Sequence, residues 1–309
     1  MILKRAGVRS MGNLQFVKLE RRGVLGVSGP DAREFLQNLI TNDMAQVAPD
    51  RAIYAALLTP QGKFLHDFIV LERPEDGFLL DCEADRLMDL GKRLAAYRLR
   101  ATVEIADLRD DLSLWAVVGP GSAAAVGLAE VPGLAGPFVG GRACVDPREA
   151  GLGVRAMLPR DNAEESLLAA GIHAADEEAY ETLRLSLGVP DGSRDVDVEK
   201  ATLAEAGFEA LHGIDFTKGC YVGQEVTTRM KHRGTARKRL VPILIDGTSP
   251  PPGTPVMAGG KEVGEIRSSM GGLGLALLRL DRIDADVRAG LKAGDARLTL
   301  RNTDPDPRT

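Results

Sequence analysis

Apolar residues recur along the first part of the chain in patterns typical of both strands and helices. The stretches "NLQFVKLE" and "GVLGVSG" alternate apolar and polar positions, which predicts two β-strands. Residues 29–43 predict a helix, with Pro30 in its first turn and a buried stripe that includes Phe35 and Ile40. Residues 51–72 then predict a hairpin around the turn "PQGK".

Three amphipathic stretches predict further helices, over residues 83–100, 162–172 and 175–190. Gly188 and Pro190 are expected to terminate the last helix, because glycine tolerates a left-handed C-terminal position and proline cannot continue a helix. Residues 191–214 have little clear period, so they predict irregular structure.

A weak internal repeat links the two halves of this region. The stretch "LGVSGPDA", beginning at Leu25, is echoed by "AVVGPGSA", beginning at Ala116. Each one predicts a strand, a Gly-Pro turn and the start of a helix, and a further strand and helix follow the second copy. The economical interpretation is two α+β modules that share one core, over about residues 14–110 and 111–234.

The pattern changes after about Thr235, where short apolar stretches are separated by glycine and proline. This predicts a small C-terminal β-barrel over residues 235–309. The first 13 residues are expected to be a flexible extension. The predicted fold class is therefore α+β, with duplicated βα modules followed by a β-barrel.

Composition and charge narrow the function classes. The net charge is −5, so the whole molecule is not built to bind nucleic acid or an anionic membrane. No apolar run approaches the roughly 20 residues that cross a bilayer, and no signal peptide is recognised. The three cysteines lie far apart, which excludes a disulfide framework and a metal site made of thiolates alone, and predicts a reducing cytoplasm.

The stretch "DFTKGCYVGQE" holds the strongest candidate chemistry. Lys218 lies two residues from Cys220, and a nearby ammonium group lowers the pKa of a thiol. Gln224 and Glu225 can pair with amide and amine hydrogens of a ligand, while Gly223 permits close backbone approach. By residue type alone, Cys220 is either a reactive thiol or an inert small apolar residue.

A basic run follows this stretch at once. Such a cluster favours carboxylates or phosphates, but by residue type alone a solvated linker between domains is the preferred interpretation. No aromatic residue interleaves the cations, so stacking on nucleic-acid bases is not supported. The six cations are Arg229, Lys231, Arg233, Arg237, Lys238 and Arg239.

The longer stretch "KGCYVGQEVTTRMKHRG" resembles the signature of the YgfZ family of folate-binding proteins, which act in iron–sulfur cluster assembly and repair. That family is similar in turn to the T-protein of the glycine cleavage system, an aminomethyltransferase. The resemblance also covers "VSGPDAREFLQNLITNDM", "TPQGKFLHDFIVLE" and "LRLSLGVP", so it spans nearly the whole chain.

The resemblance implies a tetrahydrofolate site, or a site for a one-carbon derivative, in a cavity between the modules and the barrel. It implies that Cys220 is the residue on which activity depends. Lys218 is expected to favour the thiolate form of that side chain. Tyr180 falls where an aromatic contact to folate is expected, and Arg22 stands near a second such position. Arg229 and Arg233 are added from their charge, as partners for the glutamate tail. With these two arginines, the predicted folate contacts are Arg22, Asp67, Tyr180, Arg184, Tyr221, Gly223, Gln224, Glu225, Arg229 and Arg233.

Two departures separate the chain from the T-proteins. Their paired aspartates correspond here to His66 and Asp67, and a glutamate near the end of a helix is replaced by Ser186, although Arg184 is retained. Fewer carboxylates weaken the case for acid–base transfer chemistry. The favoured hypothesis is a folate-binding protein that supports iron–sulfur enzymes or cluster-assembly proteins. The alternatives are a folate-dependent aminomethyltransferase and a non-catalytic scaffold.

Overall fold

A computed structural model describes residues 13–73, 77–233, 236–283 and 290–301 of the chain, without the side chain of Arg233. The predicted N-terminal extension lies outside the described residues, apart from Asn13.

The first part of the chain forms a strand-rich module with two helices. Its elements are β1 (Gln15–Lys18), β2 (Arg22–Ser28), α1 (Ala32–Gln37), β3 (Ile53–Leu58), β4 (Phe64–Glu72), β5 (Phe78–Glu83), α2 (Leu87–Tyr97) and β6 (Glu104–Asp107). The strands β3-β4-β5-β2-β6 form an antiparallel sheet in that order. The helices α1 and α2 cover one face of this sheet, where Leu36, Leu87 and Leu90 are fully buried.

The second module repeats the arrangement around its own sheet. Its elements are β7 (Leu112–Val118), α3 (Ser122–Ala125), β8 (Ala135–Phe138), β9 (Gly141–Val145), β10 (Val154–Pro159), α4 (Ala163–Ala169), β11 (His173–Ala174) and α5 (Glu177–Leu187). The sheet order is β11-β1-β7-β10-β9-β8. The strand β1 therefore leaves its own module and pairs with β7, with Gln15 opposite Val118. The main apolar core lies between the two sheets.

The strand–turn–helix repeat is present in both modules. Gly29 follows β2 with φ +107°, and Gly119 follows β7 with φ +102°. A Cβ atom at Gly29 would lie 2.4 Å from the Thr102 carbonyl oxygen, and one at Gly119 would lie 2.6 Å from that of Asn13. Only glycine satisfies both the backbone angle and the close approach at these two turns.

The last part of the chain closes into a barrel, as the sequence predicts. Two helices, α6 (Gly192–Asp195) and α7 (Gln224–Arg233), precede it. The barrel strands are β12 (Lys238–Asp246), β13 (Pro255–Ala258), β14 (Lys261–Met270), β15 (Leu273–Arg279), β16 (Lys292–Ala293) and β17 (Ala296–Leu300). They close in the order β12-β15-β14-β13-β16-β17, and α5 packs on them through Leu185, Leu273 and Leu275. The α+β fold class is confirmed.

The helix predicted over residues 29–43 is the main error in the element assignment. The helix α1 ends at Gln37, and Ile40 then forms a β-bridge with Leu57 at the edge of β3. Thr41 fixes this path, because its hydroxyl donates to the Gly213 carbonyl at 2.7 Å and accepts from the Ala56 amide at 2.8 Å. These tertiary contacts override helix propensity. The sequence pattern also fails to predict the helix α7.

His66, which stands in place of a T-protein carboxylate, is buried between β4 and α2. Its Nε2 atom lies 2.9 Å from Asp89 Oδ2, and its side chain is 3% exposed. The pKa of His66 is lowered from 6.5 to about 4, mainly by burial and next by the nearby Arg86 guanidinium, against the opposing effect of Asp89. His66 and Asp67 point to opposite faces of the sheet, as neighbours in a strand must.

Replacing His66 with glutamine should change how stability depends on pH. The folded pKa lies below that of the unfolded imidazole, so the unfolded state binds more protons between about pH 4 and 6.5. As the pH is lowered from about 6.5 to 4, the free energy of unfolding of the wild type should fall by about 3 kcal/mol because of His66. The variant His66→Gln should not show this part of the decrease. Urea unfolding at several pH values measures the difference. The exposed His173 supplies the control variant His173→Gln; equal slopes for wild type and His66→Gln would contradict the assignment.

Candidate functional site

The predicted motif over residues 215–225 forms a loop against the end of α1. The Asp215 amide donates to the Thr41 carbonyl at 3.0 Å. The Asp215 Oδ1 atom accepts from the amides of Thr217 and Lys218, at 2.7 and 3.1 Å. Aspartate commonly folds a chain in this way, because its side chain bonds amides a few residues later. The sequence around Asp215 therefore builds a tight turn immediately before the cysteine.

Lys218 anchors the loop to the first module. Its buried ammonium donates to the carbonyl oxygens of Gln37, Ile40 and Asn42, at 2.7, 2.7 and 2.8 Å. Burial lowers the pKa of Lys218 to about 8. An ammonium has three N–H donors, and these carbonyls use all of them. Lys218 therefore holds the end of α1, and its predicted role in poising the Cys220 thiolate has no hydrogen bond to support it.

Cys220 is exposed, whereas Cys82 and Cys144 are buried. The preceding Gly219 is also exposed, and a Cβ atom placed there would meet no other atom within 4 Å. Burial raises the pKa of both Cys82 and Cys144 well above its usual range. The sulfur at position 220 is thus the reachable thiol, at an open point of an anchored loop.

Gly223 has a packing role in this loop. Its φ is +84°, and a Cβ atom there would lie 2.7 Å from the Thr59 carbonyl oxygen. Gly62, in the β3–β4 turn, faces it, and a Cβ atom on Gly62 would lie 2.7 Å from Val226 Cβ. The motif and the hairpin turn therefore cross with backbone against backbone, which explains Gly223 without a folate contact.

The other motif residues divide between the interior and the surface. Tyr221 is buried, and Gln224 is half-buried at the start of α7. Glu225 and Arg229 are exposed. The side chain of Arg233 lies outside the described part of the chain. Among the described residues, Tyr221, Gln224, Glu225 and Arg229 therefore do not face one common space.

Asp67 and Arg22 belong to a second, buried cluster between the modules. Asp67 is 1% exposed, and its Oδ2 atom accepts from the Tyr54 hydroxyl at 2.9 Å. Burial raises the pKa of the Asp67 carboxyl. Arg22 donates through Nε to Asp81 Oδ1 at 2.6 Å and through Nη2 to the Asp81 carbonyl at 2.7 Å. Within the described residues, Arg22 Nη1 and Asp67 Oδ1 are buried without a hydrogen-bond partner, although Arg22 Nη1 lies 3.9 Å from Asp191 Oδ1.

Tyr180 lies in the same cluster, and arginine side chains already surround it. Arg155 Nη2 donates to the Tyr180 hydroxyl at 2.7 Å, and its guanidinium carbon lies 5.4 Å from the ring centroid. Arg148 Nη2 donates to the same hydroxyl at 3.2 Å and to Asp146 Oδ2 at 2.7 Å. A guanidinium over an aromatic face is a favourable cation–π arrangement, and here it occupies a face that the resemblance assigned to folate.

Arg184 connects α5 with the barrel. Its Nε atom donates to Glu181 Oε2 at 2.7 Å, and Nη1 donates to Asp195 Oδ2 at 2.8 Å. Its Nη2 atom donates to the hydroxyl of Ser268 in β14 at 3.0 Å. Ser268 in turn donates to Asp195 Oδ1. Arg184 is thus fully engaged in joining the elements, which accounts for its burial without a ligand.

The space beside these residues does not fit a pterin as they lie. The cavity lined by Arg22, Tyr180 and Arg184 has a volume of about 20 Å³. Pockets that hold drug-sized ligands are roughly 300–1,000 Å³. The unpartnered atoms of Arg22 and Asp67 suit a polar ligand, but Arg148 and Arg155 line the same cavity and leave it small.

Neither of two other cavities brings the predicted site residues together. One, of about 30 Å³, lies beneath α7 and is mostly apolar, with Phe216 and Met230 in its wall. The other is a polar cleft of about 320 Å³ that is lined by Lys18, Arg22 and Arg109, and none of the other predicted folate contacts lines it. Cys220 lines none of these three cavities, so none of them is the expected chamber shared by the thiol and a pterin.

The sequence reasoning missed most of the buried charge cluster. Asp81 and Arg155 each interrupt an apolar strand, and both are at most 3% exposed. A charged residue inside an otherwise apolar strand is costly unless it is paired, so each one signals a buried partner. That signal indicates burial of an ion pair, but it does not identify the partner.

The described residues contain no group of three or more His, Cys, Asp or Glu side chains placed to hold a metal ion. Over the same part of the chain, every helix is too short or too polar to cross a membrane.

Comparison with known proteins gives the chain a family context. A GCVT N-terminal domain model matches residues 15–130, and a model of the CAF17 C-terminal beta-barrel domain matches residues 237–307. The human mitochondrial iron-sulfur cluster assembly factor IBA57 is 36% identical and covers 94% of this chain and 84% of its own length. The mouse protein of the same name is 33% identical, over 91% of this chain and 81% of its length. The Pyricularia oryzae homolog is 31% identical, over 92% of this chain and 78% of its own length.

A solved structure shows the same fold. The glycine cleavage system aminomethyltransferase T from Bartonella henselae superposes with a TM-score of 0.77, covering 94% of this chain and 86% of that one. Sequence identity is 17%, so the likeness establishes the fold alone.

The predicted cytoplasmic location is wrong by these comparisons. The human, mouse and Pyricularia relatives are all named as mitochondrial proteins. The inference failed because unpaired cysteines indicate a reducing environment and do not distinguish one reducing compartment from another.

Replacing Lys218 with methionine should destabilise the protein by about 3 kcal/mol, because three carbonyls at the end of α1 lose a charged donor. Urea unfolding measures the change. Lys231→Met is the matched control, since its ammonium pairs with Glu209 on the surface at 2.9 Å and should contribute less than about 1 kcal/mol. Equal stability of the two variants would contradict the anchoring role.

Proposed function

The chain belongs to the family of iron-sulfur cluster assembly factor IBA57, and from this premise we propose that it supports iron–sulfur cluster assembly in client proteins through Cys220. The observation that carries the proposal is the exposure of that thiol on a loop fixed to the first module by Lys218. An exposed thiol can form the thiolate that binds iron, whereas the two buried thiols cannot reach a partner.

In this role the iron–sulfur cluster is the cargo that the protein handles, and not a resident cofactor. Iron–sulfur clusters are held by about four cysteine thiolates. Cys220 supplies one sulfur, and Cys82 and Cys144 are buried, so a cluster bound at this loop needs its remaining ligands from another protein. The proposal therefore makes Cys220 one ligand of a shared cluster, with a client or an assembly protein providing the others.

Tetrahydrofolate binding stays a prediction that rests on the resemblance to the YgfZ family, and it is separate from the proposal on cluster assembly. Arg22, Asp67, Tyr180 and Arg184 are the residues that would bind the pterin. The unpartnered atoms of Arg22 and Asp67 favour a polar ligand there, and the small cavity opposes one. The proposed role in iron–sulfur cluster assembly does not require folate.

Aminomethyl transfer is the less favoured alternative. His66 pairs with Asp89 outside the central cluster, and Asp67 is buried against Tyr54. Neither residue has access to a substrate amine. A scaffold that passes clusters without using its own thiol is the remaining alternative, and it is separated from the proposal by the requirement for Cys220.

Cys220→Ser should abolish support of iron–sulfur enzymes while leaving the fold intact. The expected result is loss of enzyme activity in cells that lack the wild-type protein, with a melting temperature close to wild type, because the side chain is exposed. In the native protein a thiol reagent should label one cysteine quickly, and this fast reaction should vanish in Cys220→Ser. Thr217→Ser, in the same loop, is the control. Full enzyme activity with Cys220→Ser would favour the scaffold.

Tetrahydrofolate should show no saturable binding by calorimetry at concentrations up to about 1 mM, because Arg148 and Arg155 fill the predicted site. A micromolar dissociation constant that Asp67→Asn weakens would instead establish the folate site and show that the cluster of buried charges opens. The two outcomes leave the Cys220 experiment unaffected.

A further inference from the structure

The proposed function does not account for the basic run that follows the motif. Arg229 is exposed on α7, while Arg237 and Lys238 are exposed where the chain enters β12. Lys63 lies half-buried in the β3–β4 turn, against which the start of α7 packs. We define these four residues, Lys63, Arg229, Arg237 and Lys238, as the basic face.

One residue of the basic face lies on the helix that directly follows the exposed thiol in the chain. The helix α7 begins at Gln224, four residues after Cys220, and Arg229 follows within about 8 Å along the helix axis. The start of β12 and the helix α7 both lie against the segment over residues 203–205. Leu240 donates to the Glu205 carbonyl at 2.8 Å, and the neighbouring Leu203 lines the apolar cavity beneath α7.

Within the described residues, no carboxylate lies within 4.0 Å of the charged atoms of the basic face. Lys231 behaves differently, because it pairs with Glu209 at 2.9 Å and lies 3.9 Å from the ring centroid of Phe216. Lys231 fastens α7 to the body of the protein, while the basic face leaves its charge available to a partner.

We propose that the basic face docks an acidic protein surface and so brings that partner's cluster ligands to Cys220. This rests on the proposed function, which requires ligands from a second protein. The chain carries a net charge of −5, so the face is a local positive region on an acidic molecule. Such an arrangement directs the approach of an acidic partner and fixes its orientation.

A nucleic acid and a small anion both fit the face less well. Phe216 is the aromatic ring beside the cations, and Lys231 covers it, so bases have no stacking platform. A small phosphate or carboxylate ligand needs convergent donors in a pocket, but the cavity beneath α7 is about 30 Å³ and mostly apolar. Cations spread over a helix and a strand entry suit an extended surface.

The test uses the full-length protein and a fluorescent oligoglutamate peptide as the probe. Arg229→Glu/Arg237→Glu should weaken peptide binding at least about tenfold, and raising ionic strength from about 0.05 to 0.2 M should weaken wild-type binding about as much. Arg98→Glu/Arg100→Glu is the matched control, since both residues are exposed just beyond α2 and the charge change is equal. It should alter affinity less than about twofold. Thermal melting confirms that each variant folds.

Three results would overturn the inference. Unchanged peptide affinity in Arg229→Glu/Arg237→Glu would show that these residues do not bind an acidic partner. Equal or tighter binding of a single-stranded DNA of the same charge would assign the face to nucleic acid. Full support of iron–sulfur enzymes in cells by a variant that has lost peptide binding would show that the face is unrelated to cluster supply. Cys220→Ser should keep wild-type peptide affinity, so failure of the thiol role and failure of the basic face are distinguishable.

Discussion

The position of the exposed thiol depends on one ammonium group. Lys218 reaches into the first module and ends among three carbonyl oxygens where α1 stops. Helix ends leave carbonyls without intrahelical partners, and a buried cation satisfies several of them together. The loop, the short helix and the turn at Thr41 are therefore one unit. A lysine that looks like an activating group in the sequence is a tether in three dimensions.

The buried charge cluster determines what the centre of the molecule can bind. Its arginines and carboxylates come from both modules and from the segment that leads to the barrel, so the cluster joins all three parts. Burying ion pairs costs desolvation energy, and truncating one partner leaves a charge without compensation. Such a network holds one arrangement firmly, and here that arrangement closes the space where the related fold was expected to admit folate.

The sequence was sufficient for the architecture and insufficient for the site. Period and glycine placement predicted the two strand–turn–helix units, the cap at Gly188 and the barrel, because these depend on local backbone rules. The end of α1 was mispredicted because contacts from Gly213 and Lys218, far along the chain, decide it. The exposure of Cys220 and the closure around Tyr180 also depend on residues remote in sequence. The local sequence pattern does not show which distant residues will be in contact.

The exchange of β1 between the sheets has a consequence for how the chain folds as it is synthesised. Gln15 pairs with Val118, and β1 also contacts β11 through His173. The N-terminal strand must therefore stay unpaired on the ribosome until more than a hundred later residues have emerged. Closing such a long loop is slow, and an exposed strand edge is open to wrong pairing meanwhile. Chaperone binding near residues 14–19 during translation would protect that edge.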